Sequence, residues 1–325
     1  MVVDWFRSLL LTFGPIGLIG LSYVVAAPTP VEWDSVWDGI AATSGSFPPQ
    51  LSESPPEAYR REASRIQARL PDSWVVINHY PFLLTGNLAE RDLQRALVDV
   101  VLPTSRALAI DYFDHPPAEP ITLIVMKDDS SYADALGRLG HSGREEYAGI
   151  YVRRSRRLIL NLSTGDGTIA HELTHALAHA DFPRMPEWFD EGLASLHEES
   201  IFSVDGRRLI GQPNWRDSLL REALQREKPP EIGQLVTGNF GRHEPAVDYA
   251  LARNLCLYLQ SQNLLGPYYR KCRARIFDDP TGRWSLMEIT GSKDLSEVDE
   301  RFRRWFLGRP ITHQAFHDNY RGLRY

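Results

Sequence analysis

Residues 166–181 read DGTIAHELTHALAHAD, and residues 186–194 read PEWFDEGLA. An apolar stripe of helical period runs along the first segment through Ile169, Leu173, Ala176, Leu177 and Ala180. Residues 166–168, an Asp-Gly-Thr sequence, offer a turn and a capping oxygen where such a helix can begin. His171 and His175 differ by about 40° around a helix, so both imidazoles project from the face opposite the stripe. The stretch therefore predicts a helix with one face in the core and two histidines facing a cleft.

The same residue types predict a zinc hydrolase site. Two histidines at this spacing can chelate one ion. Glu172 lies about 100° further round the helix, beside the ion, where it suits a general base acting on water that the metal makes acidic. Glu191 in the second segment is the natural third ligand. Catalysis requires the fourth coordination position to stay open, so the predicted site has the ligands His171, His175 and Glu191 for Zn2+ and the base Glu172.

The two segments resemble the gluzincin zinc metallopeptidases, in particular the peptidase-MA-like family, in which HExxH is followed by a W-x-x-E-G-L-A helix. Residues 188–194, WFDEGLA, match that second motif. Residues 248–259, DYALARNLCLYL, resemble the helix that in aminopeptidase-type gluzincins begins with a tyrosine hydrogen-bonded to the tetrahedral oxyanion. The likeness covers roughly residues 70 to 278. It implies a zincin-like fold, zinc-dependent hydrolysis of peptide bonds and Tyr249 as the oxyanion donor.

Other polar residues compete for these roles. His179 could be taken for the third histidine of a metzincin, HExxHxxGxxH, but Ala178 continues the helix and the histidine comes two residues early. It would lie about 6 Å further along a rigid helix, too far to converge on the same ion. His243 could replace Tyr249 as the oxyanion donor, as a histidine does in thermolysin-like enzymes. Solvated or supporting roles are expected for the carboxylates Asp181, Glu187 and Asp190.

Composition and the N-terminal segment limit the environment of the protein. The chain is 43% hydrophobic with a formal net charge of −6, which allows a sizeable core and does not indicate nucleic-acid binding. Residues 8–27 carry no charge and follow Arg7, so they predict either a cleaved signal peptide or a membrane anchor. Both interpretations place the catalytic domain outside the cytoplasm. In such a compartment Cys256 and Cys272 could form a disulfide, although buried free thiols are the commoner outcome on apolar helix faces.

The hydrophobic periodicity and the turn-forming residues along the chain predict its regions, strands and helices. The regions are a signal peptide or anchor (1–27), a Pro/Ser-rich linker with a short helix (28–70), an N-terminal α/β subdomain (71–165), a zinc-binding helical catalytic subdomain (166–310) and a tail (311–325). The expected strands are 74–84, 121–126, 149–152 and 158–162, the last two forming a hairpin with a basic tip at 153–157. The expected helices are 56–70, 89–110, 131–139, 214–227, 247–262, 267–277 and 294–307, and the chain after Glu191 is expected to be almost entirely helical.

These elements predict an α+β, zincin-like fold with an N-terminal mixed sheet, a helical C-terminal lobe and zinc in the cleft between them. In zincins the strand just before the zinc helix borders the cleft and can pair with substrate, and residues 158–162 would be that edge strand. Gluzincin aminopeptidases carry a G-x-M-E-N strand whose glutamate binds the substrate's amino terminus. The matching residues 149–153 read GIYVR, with Val152 at the glutamate position and Arg153 beside it. This departure predicts an endopeptidase.

Two non-enzymatic alternatives stay open at this point. A catalytically silent zincin-fold scaffold of the cell envelope would need neither Glu172 nor Tyr249, so the presence of both favours the enzyme. A module that binds an anionic envelope surface through the basic hairpin is the other alternative. The partners predicted for the enzyme are a peptide or protein substrate and a membrane reached through the N-terminal segment. The residues say nothing about oligomeric state.

Overall fold

The computed structural model describes residues 57–71, 73–145, 147–242 and 244–309. The first part of the described chain contains α1 (Glu57–Gln67), β1 (Val76–His79), β2 (Phe82–Gly86), α2 (Glu90–Arg95), a π-helical segment (Ala96–Val101), α3 (Leu102–Asp111), β3 (Ile121–Met126), α4 (Asp129–Arg138), β4 (Gly149–Val152) and β5 (Arg157–Asn161). The second part contains α5 (Asp166–Asp181), α6 (Glu187–Glu198), β6 (Ser200–Phe202), β7 (Leu209–Gly211), α7 (Arg216–Ala223), α8 (Ile232–Gln234), a π-helical segment (Leu235–Asn239), α9 (Pro245–Ser261), α10 (Leu265–Ala274), α11 (Arg283–Thr290) and α12 (Leu295–Gly308). This is an α+β architecture, as predicted.

The five-stranded sheet is mixed, with the strand order β1-β2-β3-β5-β4. Strands β2, β3 and β5 run parallel, while β1 and β4 are antiparallel to their neighbours at the two edges. The predicted hairpin is therefore confirmed, but the prediction that residues 158–162 form the edge strand is wrong. Strand β5 pairs with β3 on one side and β4 on the other, and its residues 158–161 are buried. The edge next to the helix that carries the histidines is β4.

The single strand predicted at 74–84 is also wrong, because this segment forms the β1–β2 hairpin. Val76 pairs with Thr85 and His79 with Phe82. The chain reverses at residues 80–81. Pro81 has no backbone N–H to donate to a ladder, so it favours a turn over a continuous strand.

Both faces of the sheet are buried. On β3, Ile124 and Met126 face a small apolar cluster under α4, whereas Leu123 and Val125 belong to the main core. Tyr132, Ala135 and Leu136 of α4, with Ile150 and Ile159 of the sheet, complete the small cluster. The main core joins the other face of the sheet to α2, α3, α5 and the C-terminal helices. Helix α5 therefore packs directly on the sheet, beside β4.

Several predicted helices are confirmed, with differences in detail. The helix expected over 89–110 is continuous but contains the π-helical segment just before Pro103, whose missing N–H removes one α-helical hydrogen bond. The capping oxygen expected at residues 166–168 is not used: Gly165 is the N-cap of α5, with φ 99°, and no side chain caps the helix. Ala180, assigned to the apolar stripe, is exposed. The region after Glu191 is less helical than expected, since β6 and β7 form a hairpin there.

Helices α6 and α9 pack in close contact at Gly192. A Cβ atom at this position would lie 2.8 Å from the carbonyl oxygen of Ala252 and 3.0 Å from Sγ of Cys256. Cys256 and Cys272 are buried free thiols in this structure, not a disulfide. No helix in the described part of the chain is both long and apolar enough to cross a bilayer. The predicted signal or anchor at 1–27 lies outside the described residues.

Candidate metal centre

Helices α5 and α6 bring the predicted ligands together. Ile169, Leu173 and Leu177 are buried in the main core and hold one face of α5 against the sheet. The N-terminal turn of α6 is held by Trp188, whose indole N–H donates a 3.0 Å hydrogen bond to the carbonyl of Thr281. With both helices held in this way, α6 presents Asp190 and Glu191 to the histidine face of α5.

The three predicted ligands have the spacing of a tetrahedral metal site. Nε2 of His175 lies 3.2 Å from Nε2 of His171, and Oε2 of Glu191 lies 3.6 Å from the first and 3.8 Å from the second. Ligands bound to zinc at about 2.0–2.1 Å in tetrahedral geometry stand roughly 3.3–3.5 Å apart. Two imidazoles and one carboxylate are also ligands that zinc accepts. The donor set and its spacing therefore fit a zinc ion.

A second group of candidate ligands, His175, His179 and Asp190, has a different geometry. Nδ1 of His175 lies 2.8 Å from Oδ1 of Asp190, and Nε2 of His179 lies 2.6 Å from Oδ2. These are hydrogen-bond lengths, shorter than the separation of two atoms that share a metal. Hydrogen bonds thus link His179 to Asp190 and Asp190 to the ring of His175. Carboxylates commonly orient metal-binding histidines through such a bond.

The electrostatics of these groups follow from their burial and proximity. Burial and the neighbouring charge of His175 lower the pKa of His171 to about 3. Burial alone would lower the pKa of His175, but Asp190 and Glu191 raise it well above its ordinary value. Burial alone would raise the pKa of Asp190, but His175 and His179 hold it well below its usual range. The carboxylates of Asp190 and Glu191 thus favour a positive charge beside them, which a proton or a divalent cation can supply.

His171 has a carboxylate partner that was not predicted. Oε2 of Glu198 lies 3.9 Å from Nδ1 of His171 and 2.9 Å from Nη1 of Arg216. The side chains of Glu198 and Arg216 are 8% and 1% exposed, so this ion pair is buried. Glu198 follows Glu191 by two helical turns on the same face of α6. That spacing was a signal available in the sequence.

Glu172 lies on the same cavity as the three candidate ligands and is 8% exposed. Burial raises its pKa to about 7, against the opposing effects of His175 and of the backbone amide of Tyr151. Gly149 of β4 permits this arrangement, because a Cβ there would lie 2.7 Å from Cγ2 of Thr168 and 3.0 Å from Cγ of Glu172. A carboxyl group with a pKa near neutrality can both accept and release a proton.

Tyr249, on the second turn of α9, also lines the cavity, and its ring packs on Phe240 with centroids 5.0 Å apart. Burial raises its pKa, and the charges of Glu191 and Glu187 raise it further, so the phenol keeps its proton and can donate it in a hydrogen bond. The competing donor His243 lies outside the described residues. Asp181 does not line the cavity; it accepts hydrogen bonds from Tyr269 and Arg273.

The cavity has a volume of about 310 Å³, at the small end of the usual range for ligand pockets. Its floor consists of the polar residues of α5 and α6 described above. Arg144, residues 147–151 and Arg153, from the segment that contains β4, form a second part of the lining, called the wall below.

Neither the comparison with protein-family models nor the search of curated proteins found a match to this chain. The assignment of the site consequently depends on the chemistry and spacing of its own side chains.

Proposed function

We propose that this protein is a zinc-dependent peptidase of the gluzincin type, with a zincin-like arrangement of the fold and a resemblance to the peptidase-MA-like family. The observation that carries the proposal is the tetrahedral spacing of His171, His175 and Glu191. Glu172 and Tyr249 line the same cavity, which is the arrangement that hydrolysis needs and that metal binding alone does not.

A zinc ion held by these three ligands would lower the pKa of a water molecule and polarise a carbonyl group. Glu172 would take the proton of that water on its carboxylate and later release it to the leaving amine. Tyr249 would donate a hydrogen bond from its hydroxyl to the oxyanion as the carbonyl becomes tetrahedral.

The cleft favours internal peptide bonds over amino-terminal residues. Arg153 lines the cavity, whereas Val152 packs against the small cluster under α4. A substrate ammonium group on this wall would therefore meet a cation, which lowers affinity. N-acetylated and free-amine forms of a cleaved peptide should have similar kcat/KM values. Strict dependence on a free amine, with release of single residues, would contradict the endopeptidase assignment.

The deciding experiment compares zinc content and peptide-library digestion for the full chain and its Glu172→Gln variant. We expect the variant to keep about one zinc per chain and to lose cleavage, because a base has been removed and no ligand. Alanine in place of His171, His175 or Glu191 should lower zinc content sharply. Glu300→Gln, at an exposed position of α12 that does not line the cavity, is the control and should change neither property.

Two results would contradict the proposal. Zinc binding without cleavage of any library peptide would favour the silent scaffold, and the absence of zinc after supplementation would remove the metal site itself. The envelope location and the membrane association remain predictions from the N-terminal segment.

A further inference from the structure

The wall of the cavity, the part of its lining that contains β4, carries two arginines. Strand β4 alternates: Ile150 and Val152 pack under α4, while Gly149 and Tyr151 face α5, and Tyr151 stacks near His179 with ring centroids 5.6 Å apart. Arg153 continues the second set and lines the cavity. Arg144, five residues before β4, lines it as well. Two exposed arginines therefore border one wall, one on each side of β4 in the chain.

Neither arginine is neutralised by a carboxylate in the described part of the protein. Arg153 donates a hydrogen bond to the carbonyl of Pro183, which ties the hairpin tip to the loop before α6. Arg144 forms no side-chain hydrogen bond or ion pair with any described residue. Elsewhere in the hairpin, Arg156 pairs with Glu119, and Arg157 lies 3.4 Å from Glu62. Arg153, which lines the cavity, has no such carboxylate partner among the described residues.

The carboxylates of the cavity cannot serve as partners, because they are already engaged on the floor. Asp190 bonds to His175 and His179, and Glu198 pairs with Arg216. Glu191 belongs to the candidate metal ligands and Glu172 is the proposed base. A carboxylate supplied from outside would be the natural partner for the wall, since guanidinium groups bind carboxylates through paired, charge-assisted hydrogen bonds.

We infer that Arg144 and Arg153 are specificity-determining residues that select substrates carrying a carboxylate on the β4 side of the cleft. The inference rests on the proposed peptidase function and names its substrate class, acidic peptides. The carboxylate has two sources in a peptide, an internal Asp or Glu side chain and the carboxyl terminus. Both bind a guanidinium group by the same chemistry, so the peptides must vary the two carboxylates independently.

The test uses a peptide that the full-length, zinc-loaded protein cleaves, made in four forms: internal Glu or Gln next to the scissile bond, each with a free or amidated carboxyl terminus. We expect kcat/KM to be about two- to fivefold higher for whichever carboxylate the wall binds, the scale of an exposed charge pair. Arg153→Gln or Arg144→Gln should bring the ratio of acidic to neutral peptide close to one. Arg153→Glu should reverse it in favour of a Lys-containing peptide, a result that loss of structure alone would not produce.

Arg154→Gln is the matched control, because Arg154 is the exposed neighbour of Arg153 and does not line the cavity. It should leave the ratio unchanged. A wild-type enzyme indifferent to Glu against Gln and to acid against amide, or a preference that persists in both arginine variants, would overturn the inference.

A binding measurement keeps this test separate from that of the proposed function. Peptide affinity is measured for the Glu172→Gln variant with and without Arg153→Gln, at low and high salt. A preference for the acidic peptide that weakens at high salt and is lost in Arg153→Gln supports the inference. If this preference is found but no peptide is hydrolysed, only the proposed function fails. Equal affinity for the acidic and neutral peptides overturns the inference.

Discussion

The Nδ1 atom of His175 lies 2.8 Å from Oδ1 of Asp190, so the ring of a candidate zinc ligand is oriented by the residue immediately before another ligand, Glu191. Asp190→Asn keeps the shape and removes the charge. We expect zinc affinity to fall about ten- to a hundredfold while the fold is retained, because the imidazole loses its anionic partner. Titration against a competing chelator measures this. Unchanged affinity would mean that Asp190 does not orient His175. Glu300→Gln, at an exposed position of α12 outside the cavity lining, is the neutral comparison.

Removal of the Tyr249 hydroxyl should affect the chemical step alone. Tyr249→Phe is expected to lower kcat by roughly a hundredfold, the usual scale for one oxyanion donor, and to leave zinc content unchanged. Steady-state kinetics with metal analysis measures both quantities. Tyr258→Phe on the same helix is the control, since Tyr258 packs against Trp305 and does not line the cavity. If His243→Ala shows the hundredfold loss and Tyr249→Phe does not, the donor has been assigned to the wrong residue.

Gly192→Ala should destabilise the protein. The added methyl would stand 2.8 Å from the carbonyl oxygen of Ala252, so α6 and α9 must separate, at a cost of about 1–3 kcal/mol. Denaturant unfolding measures the difference. Gly233→Ala is the control, because a methyl group added at Gly233 would have no described atom within 4 Å, so the change should leave stability unchanged or raise it by up to about 1 kcal/mol. Equal stability of the two variants would contradict the close packing of α6 on α9.

The pH dependence of stability should reflect His197, which is buried and hydrogen-bonded to the hydroxyl of Tyr112 at 3.1 Å. Burial, with a contribution from Arg253, lowers its pKa from 6.5 to about 3. The unfolded chain therefore binds the proton first as the pH falls. The stability due to neutral His197 is complete above its ordinary pKa and is lost progressively toward pH 3, by about 2 kcal/mol at pH 5.

This acid sensitivity can be measured by denaturant unfolding at several pH values with a chelator present, so that zinc release does not contribute. His197→Gln should be less stable than wild type at neutral pH but should lose less stability between pH 7 and pH 5. Parallel curves for the two proteins would show that His197 is not the group responsible.

Those parts of the site that depend on local helix geometry could be predicted from the sequence. The i, i+4 spacing of His171 and His175 places both on one face in any helix, and the WFDEGLA segment identified Glu191 as their partner. Contacts between distant segments could not be predicted in this way. The pairing of Glu198 with Arg216, and the position of β4 outside β5, depend on how helices and strands pack, which no short spacing encodes.

The errors in the fold have separate causes. Residues 74–84 read WVVINHYPFLL, in which Pro81 is a turn signal that the single-strand prediction does not use; pairing of β2 with β3 then fixes the second strand in the sheet. The sequence pattern does not predict the hairpin of β6 and β7, because its strands have only three residues each, too few to show an alternation of apolar and polar residues.

The position of β4 at the border of the sheet has a consequence for solubility. An open strand edge invites association with another copy of the chain through backbone hydrogen bonds. Here that edge spans only four residues, runs directly into the arginine-rich tip and has Arg144 upstream. Pairing of two copies along β4 would bring the arginines of both copies close together, and their like charges would repel. The arginines inferred to select acidic peptides would therefore also act as gatekeepers against self-association and fibril growth.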